Sequence, residues 1–384
     1  MDEILAKANE EWPGARGLLR RLVECESPTE DAAAVTRFME LLAEETRDCA
    51  TARIMRMPGA GKCLLLSFRL PGRRSKRRPG ILAVGHGDTV WPAGTLRTMP
   101  WRESGGRIYG PGVLDMKSGL AFFVTAMRLL RELDVPVERA VELWVVSDEE
   151  TGSMESRAHT ERLARASAAA LVLEPGTGLE GKLKTARKGV GSYRVRVTGR
   201  KAHAGVDFAA GANAIVELAR QIERIAAFTD LERGLTVNPG VVRGGSRSNV
   251  VPDEAEAVVD VRVAKMRDAA RLDRKFRNLR VVDRRCRLEV EGGLNRPPME
   301  RTRGVAELFR LAQKIARERL GVELEESSTG GGSDGNYTAA LGVPTLDGLG
   351  GAGEGAHAPH ECIVADASPV RIALLAHLAR HLGQ

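Results

Sequence analysis

The feature that most constrains this chain is a set of apolar, β-branched runs that each stop on an acid or a histidine. Val141–Glu150 reads VELWVVSDEE and ends on three consecutive acids, Asp148, Glu149 and Glu150. Like charges at the end of a buried strand repel one another and lose solvation, which is costly unless a cation or several donors compensate. Two readings follow: a bound metal, or a solvated strand-to-helix loop whose acids sit near a helix N-terminus. The pattern recurs. Ile81–Gly85 (ILAVG) runs into His86-Gly87-Asp88-Thr89, and Ala169–Leu173 (AALVL) into Glu174-Pro175. Gly119–Leu133 and Gly152–Ala166 read as helices between these runs, giving a βαβ alternation. Open α/β sheets place ligands outside the carboxyl ends of their strands, so the three termini point to one crevice.

Local chemistry refines this picture. In an extended His86-Gly87-Asp88 segment, Asp88 is placed to accept a hydrogen bond from the imidazole nitrogen that does not face a metal. Tyr109–Gly119 (YGPGVLDMKSG) surrounds Asp115 with three glycines and a proline, which suits a residue held in a crowded, unusual backbone. Ala15–Cys25 and Glu30–Arg47 carry apolar residues at helical spacing, and Cys63–Leu70 reads as a strand. Carboxylates and imidazoles without thiolates suit Zn²⁺, Mn²⁺ or Co²⁺.

A chain of 384 residues exceeds what one core usually supports, so two domains are expected. The texture changes near Lys184. Gly191–Thr198 and Glu254–Val263 alternate apolar and charged residues, as half-exposed strands do. Asn213–Phe228 and Arg267–Leu279 read as helices, Leu235–Val242 and Cys286–Glu291 as further strands. The order strand, helix, strand, strand, helix, strand is that of a ferredoxin-like module. Residues 184–294 are therefore expected to be an insert, with residues 1–183 and 295–384 forming the other domain. The insert holds His203 in Lys201-Ala202-His203-Ala204-Gly205, readable as a local loop hydrogen bond or a functional group, and Gly244–Pro252, readable as a hairpin turn. Beyond it lie a helix at Thr302–Leu320, the glycine-rich Ser327–Asn336, a short strand at Val343–Leu346, Gly348–Gly355, expected to be very flexible, and His357-Ala358-Pro359-His360-Glu361. Ala367–His381 closes as a helix on which His377 and His381 are surface or packing residues.

Several classes are excluded. No stretch of about 18 uncharged apolar residues is present, so nothing is expected to span a membrane. The start, MDEILAKANEEW, lacks a basic-then-apolar signal pattern, making a cytoplasmic enzyme the default. The five scattered cysteines suit reduced thiols rather than a disulfide frame. Much of the net charge of +7 is expected in Arg69–Arg78, a solvated turn; without interleaved aromatics to stack bases it does not suggest nucleic-acid binding.

Together these motifs carry a resemblance. GHGDTV at Gly85–Val90, GPGVLDMKSG at Gly110–Gly119, SDEETGS at Ser147–Ser153, LEPG at Leu173–Gly176, RKGVGSY and KAHAG on either side of residue 200, SNVVPDEA at Ser248–Ala255 and TGGGSDGN at Thr329–Asn336 are similar, in order and over nearly the whole chain, to the co-catalytic zinc peptidase family of glutamate carboxypeptidases, aminoacylases, acetylornithine deacetylase and succinyl-diaminopimelate desuccinylase. The pattern looks closest to the bacterial glutamate carboxypeptidase branch, although Glu361, four residues after His357, has a spacing more like the deacetylase and desuccinylase branch.

The resemblance implies an α/β fold: a catalytic domain with a mixed central sheet flanked by helices, plus an inserted ferredoxin-like α+β lid and dimerisation domain. It implies that Asp115 bridges two Zn²⁺ ions, for which Co²⁺ or Mn²⁺ could substitute. His86 and Glu174 would complete one site, Glu150 and His357 the other. Glu149 would be the general base, Asp88 the partner of His86, and the Asp115–Met116 peptide is often cis. His203 would reach the substrate carbonyl, and Asn249, Arg262 and the Gly330–Gly332 backbone, with Gly331 at its centre, would contact the substrate. The expected activity is release of a C-terminal amino acid, glutamate first, from a peptide or N-acyl conjugate by a homodimer. A deacylase of N-acyl amino acids, of acetylornithine deacetylase or aminoacylase type, and a non-catalytic metal-binding relative are the alternatives. Arg187 and Lys188 read either as cations for a substrate carboxylate or as charges on a solvated strand face.

Overall fold

The computed structural model describes residues 2–72 and 78–384; residues 73–77, the middle of the basic stretch Arg69–Arg78, lie outside them. The chain divides into two compact units. One comprises Met1–Ala186, Arg301–Ser328 and Ser333–Gln384, the other Arg187–Glu300 and Thr329–Gly332.

The larger unit is built on a six-stranded sheet in the order Ala50–Met55, Cys63–Phe68, Val141–Val146, Gly80–His86, Ser167–Val172, Thr345–Leu346. The first three neighbours pair antiparallel and the last four parallel, so the sheet is mixed. Its central strands are mostly apolar because both faces are covered, Glu142 being the charged residue within Val141–Val146. Ile81, Ala83, Leu143 and Val145 enter one core, packed by the helices Glu3–Glu24, Ser118–Glu132 and Ser368–Leu382. Leu82, Val84, Trp144 and Val146 enter the other, beside Ala164 of the helix Arg157–Arg165. There Trp144 Nε1 donates to Thr160 Oγ1 at 2.9 Å, so the fully buried indole keeps its polar atom satisfied.

Four differences from the sequence reading have physical causes. The first helix starts at Glu3, capped by Asp2, and runs through Pro13. The strand Ala50–Met55 was not expected, because it is an edge strand whose central residues are exposed and carry no apolar run. The helix expected from Gly152 starts at Arg157, since Gly152 and Ser153 take positive φ in the turn before it. Gly348–Gly355 is largely buried rather than a free loop. The Arg371 guanidinium donates to the carbonyls of Gly181, Gly348 and Gly350, and a Cβ at Gly350 would lie 2.3 Å from Leu173 O.

The smaller unit has a four-stranded antiparallel sheet in the order Thr236–Gly244, Glu254–Val263, Gly189–Thr198, Arg287–Arg296. With helices Ala214–Ala226 and Met266–Arg277 it forms a split βαβ of ferredoxin type. Period-two burial along Glu254–Val263 sends Ala255, Ala257, Val259, Val261 and Val263 into its own core.

Candidate metal centre

Three adjacent parallel strands deliver the site. Gly80–His86 lies between Val141–Val146 and Ser167–Val172, so His86, the Asp148–Glu150 acids and Glu174 emerge from neighbouring carboxyl ends. The GHGD motif is explained by packing. A Cβ at Gly85 would meet Met116 Cε at 2.7 Å, and one at Gly87 would meet Phe38 ring carbons at 2.6 Å.

The Tyr109–Gly119 segment brings Asp115 to these ends. Its carboxylate spans two imidazoles: Oδ1 is 3.2 Å from His86 Nε2 and Oδ2 is 3.3 Å from His357 Nε2. His86 Nε2 is also 3.5 Å from Glu174 Oε1, and His357 Nε2 is 3.5 Å from Glu150 Oε2. Donor atoms of His86, Glu149 and Glu174 lie within 4.8 Å of one another, as do those of His86, Asp115 and Glu150. His357 adopts φ +62°, an uncommon conformation for a residue with a Cβ. The Asp115–Met116 peptide is cis. Asp88 is adjacent, with a division of labour not anticipated. His86 Nδ1 is 2.9 Å from the Asp88 backbone carbonyl and 3.5 Å from its Oδ1. The carboxylate instead accepts from the amides of Glu149 and Glu150 and from Thr29 Oγ1, tying two strand ends together.

The electrostatics are those of an anionic pocket. Burial opposes charge on His86, yet hydrogen bonds to Asp115 and Asp88 raise its pKa well above the ordinary value. Asp115 and Glu150 raise that of His357 to about 10. Burial alone would push the Asp115 carboxyl up; the two imidazoles hold it well below the carboxylate range. Protons on these imidazoles therefore stand where divalent cations would compensate the same acids. Among the described residues Glu150 Oε1 is buried without a hydrogen-bond partner, which a cation would supply and a proton on His357 does not. The residues fit a pair of hard or borderline cations.

Sequence reasoning missed Glu361 as a support. Fully buried, it accepts from the amides of Leu114 (2.9 Å), Asp115 (3.0 Å) and Gly112 (2.9 Å) and from Trp91 Nε1 (2.8 Å). Burial pushes its carboxyl up to about 7, against the pull of those donors. Glu361 thus fastens the Asp115 loop to the segment that carries His357; the one available signal was its position four residues after that histidine.

The remaining expected residues lie in the smaller unit. His203 is exposed and its Nδ1 accepts from the amides of Gly205 and Val206, both at 3.1 Å, so the local loop hydrogen bond is present and the ring proton resides on Nε2. Asn249 is exposed in the turn before Val250, and its carbonyl accepts from the Ala204 amide. Arg262 pairs with Asp260 through Nε and Nη2 and donates to Gly330 O from Nη1. Arg187 is not on a solvated face: it is buried and donates to the carbonyls of Gly331 and Gly332. In the larger unit His377 is buried and bonds Asp2 Oδ1 at 2.8 Å, a packing residue with a carboxylate partner distant in sequence.

A model of peptidase family M20/M25/M40 matches residues 82–381. The chain belongs to that family. The resemblance read from its motifs is thereby established, and membership makes the chain a hydrolase of the metallopeptidase and amidohydrolase class. It is 29% identical to carboxypeptidase G2 of Pseudomonas sp. (strain RS-16), across 100% of this chain and 92% of that one. It is 30% identical to succinyl-diaminopimelate desuccinylase of Azoarcus sp. (strain BH72), across 77% and 80%. The structure of aminopeptidase PepT from Bacillus cereus ATCC 10987 superposes with a TM-score of 0.79 at 22% identity, covering 97% of this chain and 99% of that one, so the fold is shared. No helix among the described residues is long and apolar enough to cross a membrane.

Proposed function

We propose that this chain is a two-metal amidohydrolase that releases a C-terminal amino acid, glutamate first, from a peptide or N-acyl conjugate. The observation that carries the reading is the Asp115 carboxylate, with one oxygen toward His86 and the other toward His357. Asp115 would bridge two cations, His86 and Glu174 completing one set of ligands, Glu150 and His357 the other. We take the ions as Zn²⁺, with Co²⁺ or Mn²⁺ able to substitute. When bound, such a pair supplies Lewis acidity that acidifies water and polarises an amide carbonyl. Glu149, whose carboxylate lies beside His86 and Glu174, takes the proton from water and returns it to the leaving amine. Asp88 holds the strand ends that carry His86 and Glu149.

The insert expected at residues 184–294, which the smaller unit overlaps from Arg187 onward, is assigned as the lid and as the surface through which a homodimer forms. The Nε2–H tautomer of His203 suits donation to the substrate carbonyl oxygen. Arg262 keeps N–H groups beyond its bonds to Asp260 and Gly330 for a substrate carboxylate, and Asn249 and the Gly331 backbone are assigned as further substrate contacts. Five free cysteines suit a reducing compartment, the cytoplasm. The desuccinylase relative favours a second reading, removal of an N-acyl group from an amino acid. Hydrolysis rates on peptidyl- and folyl-glutamates against N-acetyl and N-succinyl amino acids, with metal added back, decide between them. The first reading expects the glutamyl conjugates to lead in kcat/KM, and a reversed ranking overturns it. Glu149→Gln is expected to cut kcat about 10²–10⁴-fold while bound metal is unchanged; full activity of that variant overturns the role of Glu149.

A further inference from the structure

The smaller unit carries a second concentration of charge that the reaction does not use. Residues Arg187–Glu300 contain 23 Lys+Arg and 15 Asp+Glu, a net of +8 against +7 for the whole chain. The positive excess therefore resides here; the basic stretch Arg69–Arg78 is offset by acids elsewhere in the larger unit. Within the smaller unit, the helices Ala214–Ala226 and Met266–Arg277 and the turns after them border an open cleft of about 680 Å³. Its rim is Arg224, Arg271, Arg274, Lys275 and Arg280, its apolar floor Ala227, Phe228 and Leu279, and no acid lines it.

Carboxylates compensate several cations elsewhere in the unit. Arg196, Arg233, Arg262 and Arg285 each pair with a carboxylate. Among the described residues, none of the five cations at the cleft does. Arg224 and Arg280 donate to backbone carbonyls instead, and Lys275 Nζ lies 4.8 Å from the centre of the Phe228 ring. Five like charges around one opening repel one another, and the arrangement gains free energy when an anion occupies it. Guanidinium forks match phosphate oxygens in pairs. A second copy of this face would bring cations against cations, and a single aromatic on the floor does not make the stacking row that a nucleic-acid strand uses.

We propose that this cleft is a binding site for an oligophosphate anion. The test is calorimetric titration of the full chain with inorganic tripolyphosphate and, separately, with ATP, at ~50 mM and ~150 mM salt. One equivalent is expected to bind, more weakly at the higher salt. Arg271→Gln with Arg274→Gln is expected to weaken it at least about tenfold. Arg194→Gln with Arg287→Gln removes the same charge from exposed strand positions of the same unit and is expected to change it less than about twofold. ATP binding more tightly than tripolyphosphate assigns the apolar floor to a base; equal affinity assigns the site to the phosphates alone. All four arginines are exposed, and circular dichroism verifies folding of both variants. Absence of binding at roughly 1 mM ligand and low salt, or equal losses in the two double variants, overturns the proposal.

Discussion

Replacing Glu361 by Gln isolates what one buried carboxylate does for the metal centre. Its four partners are all donors: the amides of Gly112, Leu114 and Asp115 and the Trp91 indole. Glutamine keeps the volume and one acceptor oxygen but sets an NH₂ group against two of those donors. Two buried N–H groups then lose their acceptor, at about 1–3 kcal/mol each, for an expected loss of roughly 2–6 kcal/mol. That is a large part of the ~5–15 kcal/mol that holds a typical domain. Urea unfolding of metal-free protein reads it directly, because all four tryptophans, Trp12, Trp91, Trp101 and Trp144, belong to the larger unit and their fluorescence reports that unit. The same loop carries Asp115, so divalent-metal affinity is expected to fall about 10–100-fold. A stability change under about 0.5 kcal/mol, the range of an indifferent surface substitution, with unchanged metal affinity would refute the reasoning.

Gly119→Ala places a Cβ 2.0 Å from Leu173 O, in the strand end that leads to Glu174, and two backbones cannot swing apart. A loss at or above the usual 1–3 kcal/mol of overpacking, roughly 3 kcal/mol, is expected in thermal melts; an unchanged melting temperature contradicts it. Burial pushes the Cys49 thiol up to about 11 and the Cys63 thiol up to about 12, and Cys286 and Cys362 are buried as well. Thiol titration with a chromogenic disulfide at pH ~8 is thus expected to find at most the half-buried Cys25 quickly in native protein and all five after denaturation. Two or more fast thiols in the native state would refute this packing.

Much of the candidate centre is legible in the sequence because its residues follow strands whose apolar runs mark their own ends. His86, Glu149, Glu150 and Glu174 belong to that group, and their convergence follows from three parallel neighbours. Asp115 and His357 are placed by loops, and only the resemblance paired them with those acids. What stayed illegible depends on contacts distant in sequence. Glu361 meets the Asp115 loop 246 residues away, and His377 meets Asp2 across 375. Arg187 reads equally as a substrate-binding cation or a charge on a solvated face, and the Gly331 and Gly332 carbonyls that receive it, with its burial, rule out the solvated face. The glycines of Gly348–Gly355 suggest mobility, whereas their lack of a Cβ lets the backbone pass tightly against Leu173 and Glu174.

The central claim is that Asp115 joins two imidazole-carboxylate sets into one dinuclear centre, and counting ions tests it most directly. Equilibrium dialysis of metal-stripped protein against Zn²⁺, read by elemental analysis, is expected to saturate at two ions per chain, and Asp115→Ala to forfeit the pair with its fold intact by circular dichroism. Saturation at one ion or none, or two ions retained by Asp115→Ala, would contradict the account.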